Sequence, residues 1–332
     1  SPSRCAIMSG KHPARTMSTT VASGKPLSAF HPQNSFIAPW CRGGMDTKEI
    51  TIAEALKLNG YRTGHVGKWH IAIQHYAFPQ PSDEGFDFTS HYAGNPQARG
   101  VQNGMPNRLD SFASRKSEDP YRLDEAGFPR DHVTEEALRF LSENKNSPFF
   151  LYYASWLVHS PLQSRSQELL RKYCEKLGVD YPTNPKGWLL EGQRNPYYCA
   201  MVESLDHYIG KMLKYLERTD DPRWPGHKLV ENTYLVFTSD NGGMEGHHEE
   251  VFTDNLPLDK GKIYIREGGI RVPFIIAGPN IPSAVESDVV VNGLDLHPTI
   301  LGWTNTPPNA GQILDGSDLG DMLLVDPQDD KR

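Results

Sequence analysis

The sequence predicts an α/β fold in which a large, mostly parallel central sheet is flanked by helices, all within a single domain over residues 1–332. Short apolar runs of strand length alternate along the chain with segments of helical periodicity, an order typical of parallel sheets covered on both faces. A content of 37% hydrophobic residues is enough for a sizeable core.

The individual elements follow from local signals. A helix is predicted in residues 51–60, where Thr51 and Glu54 match a capping box and Asn59 and Gly60 supply a stop. Two further helices are expected around Phe140 and in residues 297–303. A long amphipathic helix is predicted from the apolar stripe Val202, Leu205, Ile209, Met212 and Leu216. Strands are predicted at residues 61–66, 149–156, 232–240, 272–279 and 288–295, and long surface loops at 78–130 and 160–196.

The charge balance excludes some classes of partner. The formal net charge is −7, so no bulk positive field gathers nucleic acid, and any anion must be held locally. No run approaches the about 18 apolar residues of a membrane helix, and no signal-peptide pattern is present. The chain has no initiator Met and its last residues are ordinary polar ones, so we expect it to be part of a longer protein.

The four cysteines, Cys5, Cys41, Cys174 and Cys199, lack the spacing of a zinc site. We favour four buried thiols. One disulfide, or a nucleophilic role for Cys5, remains an alternative.

Polar side chains with chemical potential cluster where predicted strands end. Lys68 and His70 follow the strand at 61–66, His159 follows the strand at 149–156, and Asp240 and Asn241 end the strand at 232–240. Ligands of open parallel sheets lie beyond the carboxyl ends of the strands. We therefore expect these five residues to meet at one rim, although each one, taken alone, has an ordinary structural explanation.

Two glycine-containing motifs carry the next candidates. In TSDNGG, residues 238–243, the oxygens of Asp240 and Asn241 suit a hard cation, while the same residues are also common in plain turns. In GKIYIREGGIRVPFI, residues 261–275, Lys262 is the candidate anion ligand, whereas Glu267 and Arg271 are expected to form an inward-packed ion pair.

The chain opens with SPSR, in which a proline and small residues lead into a predicted helix that carries Arg4. A helix N-terminus beside an arginine is a good cradle for an oxyanion. The tetrapeptide also occurs in linkers, so its meaning depends on the motifs that follow it.

Taken together and in this order, SPSR with MSGK, then GKWH, VHSP, TSDNGG and KIYIREGGIRVP resemble the motifs of the formylglycine-dependent type I sulfatases of the alkaline phosphatase superfamily. The resemblance covers nearly the whole chain and points to a carbohydrate sulfatase. One departure stands inside the motifs, because Met8 to Lys11 replace the family's usual Leu-Thr-Gly-Arg, and lysine lacks the bidentate fork of arginine.

The resemblance implies an alkaline phosphatase-like fold whose C-terminal antiparallel subdomain is largely missing from this chain. It also implies that the nucleophile is the residue immediately before Ser1, a Cys or Ser that a formylglycine-generating enzyme converts to formylglycine. The upstream strand with further acidic metal ligands is likewise expected outside the chain.

The implied reaction is the hydrolysis of sulfate esters by a hydrated formylglycine. Arg4 and Lys68 would hold the nucleophile, and Lys262 would bind the sulfate. His159 would protonate the leaving alcohol and His70 would accept the diol proton, although these two roles can be exchanged.

The resemblance also implies a bound divalent metal. Asp240 and Asn241 would ligate it, and calcium is favoured over magnesium because several protein oxygens suit the larger ion. His247 joins Lys68, His159 and Lys262 among the expected substrate-binding side chains.

Two other functions stay open. One is a phosphodiester or phosphonate monoester hydrolase of the same superfamily, and the other is a non-catalytic domain that binds sulfated glycans. The expected partner is a sulfated small molecule or polysaccharide, with neither nucleic acid nor a membrane span. The sequence leaves the compartment open, and similar carbohydrate sulfatases suggest a periplasmic or secreted location.

Overall fold

The structure is a computed structural model that describes residues 1–21, 41–42, 44–72, 78–91, 112–160, 162, 164–181, 194–245 and 252–323. The predicted site residue His247 lies outside these residues. Among the described helices, none has both the length and the apolar character that crossing a membrane requires.

Helices and strands alternate over most of the described chain. The helices are α1 (Pro2–Ser9), α2 (Pro13–Thr16), α3 (Ile52–Leu58), α4 (His132–Asn144), α5 (Gln167–Leu177), α6 (Pro196–Arg218), α7 (Glu267–Ile270), α8 (Leu296–Trp303) and α9 (Gly320–Leu323). The strands are β1 (Arg62–Gly67), β2 (Phe88–Ser90), β3 (Phe149–Ala154), β4 (Leu235–Thr238) and β5 (Phe274–Ala277).

Helix α3 shows the local logic that the sequence predicted. The Thr51 hydroxyl accepts a hydrogen bond from the Glu54 amide at 3.1 Å, and the Glu54 carboxylate accepts one from the Thr51 amide at 2.8 Å. Both bonds satisfy amides that the first turn of a helix leaves without a partner. The capping box is therefore confirmed.

A parallel sheet of three strands forms the buried centre, in the order β2-β1-β3. Every residue of β1 after Arg62 is buried. The parallel arrangement confirms the predicted fold class. Strand β2 corrects one expectation, because it lies inside residues 78–130, which were predicted to be a surface loop, and it is too short to show any periodicity.

The strands β4 and β5 form a separate antiparallel pair within the described residues, with Leu235 opposite Ala277 and Thr238 opposite Phe274. The predicted strand at 288–295 is wrong. Residues 288–292 have no strand pairing in the described chain, and Val290 is 95% exposed. An apolar run there reflects composition and not burial, which sequence pattern alone does not distinguish.

Helix α6 buries a different face from the one predicted. Leu216 is buried as expected, but Val202 is exposed, and Tyr197, Met201 and Tyr208 face the core instead. The reason is that α6 packs against both α4 and α5, so that two neighbours set its buried face. Tyrosine counts as ambiguous in a hydrophobic pattern, and the pattern therefore favoured the wrong stripe.

All four cysteines are free thiols, as favoured, and Cys5, Cys41 and Cys174 are buried as predicted, but Cys199 is only partly buried. Burial raises the pKa of the Cys5 thiol. A thiol held in its protonated form is a poor nucleophile, so the structure argues against the catalytic alternative for Cys5.

Candidate active site

Arg4, on the first turn of α1, contacts residues from three separate parts of the chain. Its Nε donates to the Asp240 carboxylate at 2.7 Å, and one Nη donates to the Lys68 carbonyl at 2.7 Å and faces the Tyr152 hydroxyl at 3.5 Å. The neighbouring Ser3 hydroxyl donates to the Asp240 carbonyl at 2.7 Å. The start of α1 is thereby fixed against the ends of β1 and β4.

Lys68 follows β1 directly and is 6% exposed. Its ammonium lies 5.5 Å from the centre of the Trp156 ring. Burial, assisted by the charges of Arg4 and Lys262, lowers the pKa of Lys68 to about 7 although Asp240 opposes this effect. A cation under such repulsion gains from any anion that binds beside it.

Arg4 and Asp240 form one pair of site residues, and His159 and Lys262 form a second. The Nζ of Lys262 lies 3.0 Å from Nε2 of His159, while Nδ1 of His159 lies 2.7 Å from the Ser160 carbonyl oxygen. A carbonyl only accepts, so Nδ1 carries the proton, and Nε2 accepts from the Lys262 ammonium. Burial, with Lys68 and Lys262, lowers the pKa of His159 to about 4.

The two pairs belong to one electrostatic group around Asp240. Burial raises the pKa of the Asp240 carboxyl, but Arg4 and Lys68 lower it more, so that the net pKa lies well below its usual range. Lys262 also lowers the pKa of Lys68, and Lys68 lowers that of His159, so the charges of the two pairs act on one another.

Close backbone packing fixes the loop that carries Lys262. The Lys262 amide donates to the Gly243 carbonyl at 2.8 Å, and the Gly242 amide donates to the Gly269 carbonyl at 3.0 Å. A Cβ on Gly242 would overlap the Gly268 carbonyl oxygen. The glycine pairs before and after this loop thus let two backbones meet, which a side chain would prevent.

The structure brings together five of the predicted residues: Arg4, Lys68, His159, Asp240 and Lys262. Their catalytic and binding roles remain predictions. The inward ion pair expected of Glu267 and Arg271 is wrong in its placement, since the pair joins atoms 3.8 Å apart and both side chains are exposed.

Two further predicted residues, Asn241 and His70, lie close in the chain to members of this group. Asn241 follows Asp240, and its side-chain amide donates to the Gly242 carbonyl at 2.8 Å, which leaves its Oδ1 as an acceptor. His70 is half-buried after Trp69 and has a left-handed backbone with φ of 59°. A left-handed histidine is uncommon, so local constraint sets its position.

Sequence reasoning missed Tyr152 and Trp156. The Tyr152 hydroxyl faces Arg4, and the Trp156 ring lies beside Lys68. Both belong to the apolar run FFLYYASW, which indicated only a buried strand. The available signal was alternation, because residues 152, 154 and 156 point to one side of an extended segment.

The residues present fit part of a metal site. Asp240 stays ionised, and Asn241 offers an amide oxygen, so this turn supplies two hard oxygen ligands of the kind that calcium and magnesium prefer. Within the described ranges, no group of three or more His, Cys, Asp or Glu side chains is arranged to hold a metal. The described residues therefore offer two candidate ligands and not a complete shell.

The chain is similar to known sulfatases over nearly its whole length. The chain is 29% identical to an arylsulfatase of Hemicentrotus pulcherrimus over 97% of its own length and 53% of that protein, and 29% identical to an N-acetylgalactosamine-6-sulfatase of Canis lupus familiaris over 98% and 56%. The crystal structure of Ps i-CgsB in complex with k-i-k-neocarrahexaose is 25% identical, with a TM-score of 0.64, over 96% of this chain and 64% of that one. The chain thus spans about half the length of the curated relatives it matches.

The fold is also shared with a phosphonate monoester hydrolase from Silicibacter pomeroyi, at 17% identity and a TM-score of 0.59 over 100% of this chain and 68% of that one, a likeness that shows the fold alone. The protein therefore has the alkaline phosphatase-like α/β fold. The Sulfatase family profile matches residues 1–306, and the chain belongs to that family.

Proposed function

We propose that the protein containing this chain hydrolyses sulfate esters of a sulfated carbohydrate. The observation that carries the proposal is the buried group of Arg4, Lys68 and Lys262 with His159 around a single carboxylate, Asp240. Three cations facing one acid leave a net positive pocket, which suits an anionic ester. The related sulfatases, and the neocarrahexaose bound to Ps i-CgsB, support a sulfated sugar as substrate.

The residues of this chain divide the work. Lys68 and Lys262 bind the sulfate oxygens, and their ammonium groups stabilise the charge that develops in the transition state. Arg4 keeps Asp240 ionised and holds the end of β1 in place. The binding of an anion beside His159 raises the pKa of its imidazole, and Nε2 then gives a proton to the leaving alcohol.

Two groups outside the described residues complete the proposal. A formylglycine immediately before Ser1, made by a formylglycine-generating enzyme, supplies the nucleophile. Asp240 and Asn241 would hold in part a divalent ion, calcium in preference to magnesium, which would polarise the sulfate oxygens when bound. His70 is proposed to accept the nucleophile's proton, and His247 to contact substrate.

The test uses the full-length protein with matched sulfate and phosphate esters. His159→Ala should lower the turnover of an unactivated sulfate ester by about 10²- to 10⁴-fold, the usual contribution of a general acid. The control is His227→Ala, which removes a surface imidazole paired with Glu231 at 2.8 Å. A loss of less than about tenfold for His159→Ala would refute the assigned role.

The same assay separates the rival functions. Faster turnover of the phosphate ester would favour a phosphoester or phosphonate hydrolase. Tight binding of sulfated glycan without turnover would favour a non-catalytic domain, and mass analysis of the peptide containing SPSR would then show whether the preceding residue carries the aldehyde.

A further inference from the structure

A cavity lies beside the active site, between the start of α4, the segment after β3, and α6. Its empty space is about 620 Å³, with solvent at its mouth included. The polar and aromatic side chains that line it include Tyr121, His132, Trp156, Arg165, Ser204 and Tyr208. None of the proposed catalytic residues lines this cavity, so the reaction gives it no role.

Arg165 is the unusual group in this cavity. The residue is 8% exposed, and its Nε and one Nη are buried without a hydrogen-bond partner among the described residues. The guanidinium stacks on Tyr121, 3.5 Å from the ring centre. No carboxylate forms an ion pair with Arg165 in the described part of the chain.

The nearby carboxylates are engaged elsewhere. Asp119, whose charge reaches Arg165, accepts from the Ser114 amide and hydroxyl at 2.7 and 3.0 Å and from the Tyr121 amide at 2.8 Å. Asp131 lines the cavity, but it caps α4 by accepting from the Thr134 amide at 2.8 Å and its hydroxyl at 2.6 Å. A buried cation is therefore left without a direct counter-charge, which costs stability unless a ligand provides one.

A second polar atom points to the same kind of ligand. The Nε2 of His132 is buried and has no hydrogen-bond partner among the described residues, while its Nδ1 lies 3.7 Å from the Glu135 carboxylate. The imidazole packs edge-on against Tyr121, the ring on which Arg165 stacks. Arg165 and His132, whose buried nitrogens lack a partner among the described residues, thus pack against the same ring, that of Tyr121.

The cavity and the active site have a common wall. Trp156 lines the cavity, and its ring lies 5.5 Å from the Lys68 ammonium. The Trp156 carbonyl accepts from the His159 amide at 2.8 Å. One short segment after β3 therefore separates the proposed ester site from the buried guanidinium.

We infer that this cavity binds a second anionic group, a sulfate or carboxylate, of the sulfated carbohydrate whose ester is hydrolysed at the adjacent proposed ester site. The inference rests on the proposed function for the identity of the substrate. The planar guanidinium offers two adjacent N–H groups, which match two oxygens of a sulfate or carboxylate. Arg165 is then a specificity residue that selects sugars carrying more than one negative charge.

The first experiment asks whether the cavity takes an anion at all. Crystals of the full-length protein are soaked in selenate, whose anomalous signal marks its position, for wild type and Arg165→Gln. We expect selenate within hydrogen-bond distance of Arg165 in the wild type and none there in the variant. An empty cavity in the wild type overturns the inference even when the enzyme turns over sulfate esters.

The second experiment distinguishes a substrate substituent from a free anion. Sucrose octasulfate, which presents many sulfates, is compared with 4-nitrophenyl sulfate, which presents one, and affinity is measured by calorimetry in protein that also carries His159→Ala. Arg165→Gln should cost about 10- to 100-fold more affinity for the octasulfate than for the nitrophenyl ester. Equal losses, or no octasulfate binding by the parent, overturn the substrate assignment.

A stability measurement tests the alternative that Arg165 has only a structural role. Without anion, Arg165→Met should unfold at the same temperature as wild type or a higher one, because it removes an unneutralised buried charge. A marked fall would identify Arg165 as structural and overturn the inference. The control Arg139→Gln, which removes an exposed arginine of α4 that pairs with Glu136, should leave both octasulfate affinity and unfolding temperature unchanged. The proposed function fails separately, by absent sulfate turnover.

Discussion

Arg4 and Glu84 are both charged and nearly closed to solvent, at 7% and 0% exposure, yet the fold treats them in opposite ways. Arg4 has a carboxylate and a carbonyl within 2.7 Å. Both carboxyl oxygens of Glu84 are buried without a hydrogen-bond partner among the described residues. Burial, with the nearby charge of Glu54, raises the pKa of Glu84 to about 8.

The contrast between Arg4 and Glu84 shows where this protein keeps a buried side chain charged. Arg4 and Asp240 neutralise each other, so this ion pair retains its charges over a wide range of pH, whereas burial lowers the pKa of the neighbouring Lys68 to about 7. At Glu84 no hydrogen-bond partner among the described residues offsets desolvation, and the side chain holds its proton near neutral pH. Buried charge in this fold is therefore preserved where Arg4 meets Asp240 and suppressed beside the capped start of α3.

The largest effect on stability is expected when Arg4 is replaced. Arg4→Met leaves the Asp240 carboxylate buried without its main partner, so we expect the free energy of unfolding of the full-length protein to fall by about 3–5 kcal/mol. Chemical denaturation at pH 7 measures this change.

The matched control for that prediction is Arg271→Met. It removes an arginine of the same charge whose ion pair with Glu267 is exposed, so the loss should stay within about 1 kcal/mol. Equal losses for the two variants would show that the Arg4 network adds nothing beyond a surface pair.

Glu84→Gln tests whether the buried Glu84 carboxyl keeps its proton near neutral pH. Between pH 4.5 and about 8 the unfolded chain has released the Glu84 proton while the folded chain retains it, so wild-type stability falls as pH rises through this window. The glutamine variant lacks this slope. It should equal wild type near pH 5 and exceed it by about 2–4 kcal/mol at pH 8, measured by denaturation at both values. Parallel stability curves for the two proteins would contradict the raised pKa.

The smallest effect concerns Thr51, whose hydroxyl donates to the Glu84 carbonyl at 2.8 Å and accepts from the Glu54 amide. Thr51→Ala should lower stability by about 1–2 kcal/mol because it removes a helix cap. Thr51→Ser keeps the hydroxyl and should stay within about 0.5 kcal/mol of wild type. A serine variant as unstable as the alanine variant would assign the effect to the methyl group instead.

Much of the pocket could be predicted because its residues follow strong local signals. Lys68 and His159 come after β1 and β3, neighbouring parallel strands whose carboxyl ends lie at the same edge of the sheet, and Asp240 likewise follows an apolar run that forms a strand, β4. Arg4 and Lys262 could be placed only through the order of the motifs, since no local pattern specifies that α1 bonds to the end of β4. The structure adds this tertiary information.

The failures have physical causes as well. Strand β2 has three residues, too few to repeat a pattern, while Val289 and Val290 are β-formers that remain exposed. The buried arginine of the cavity gave no signal, because a sequence does not reveal that Arg165 is buried or that Asp119 is engaged by its own turn.

The contact between Gly242 and Gly268 has a consequence for redesign. Because backbone meets backbone there, no rotamer change can absorb an added methyl group, and backbone hydrogen bonds join the turn after Asp240 to the loop that carries Lys262. Under the proposed function, a redesign that shifts Lys262 to admit other esters would therefore also disturb the turn after Asp240. Variation in substrate choice is better sought in side chains that stand outside these two joined segments.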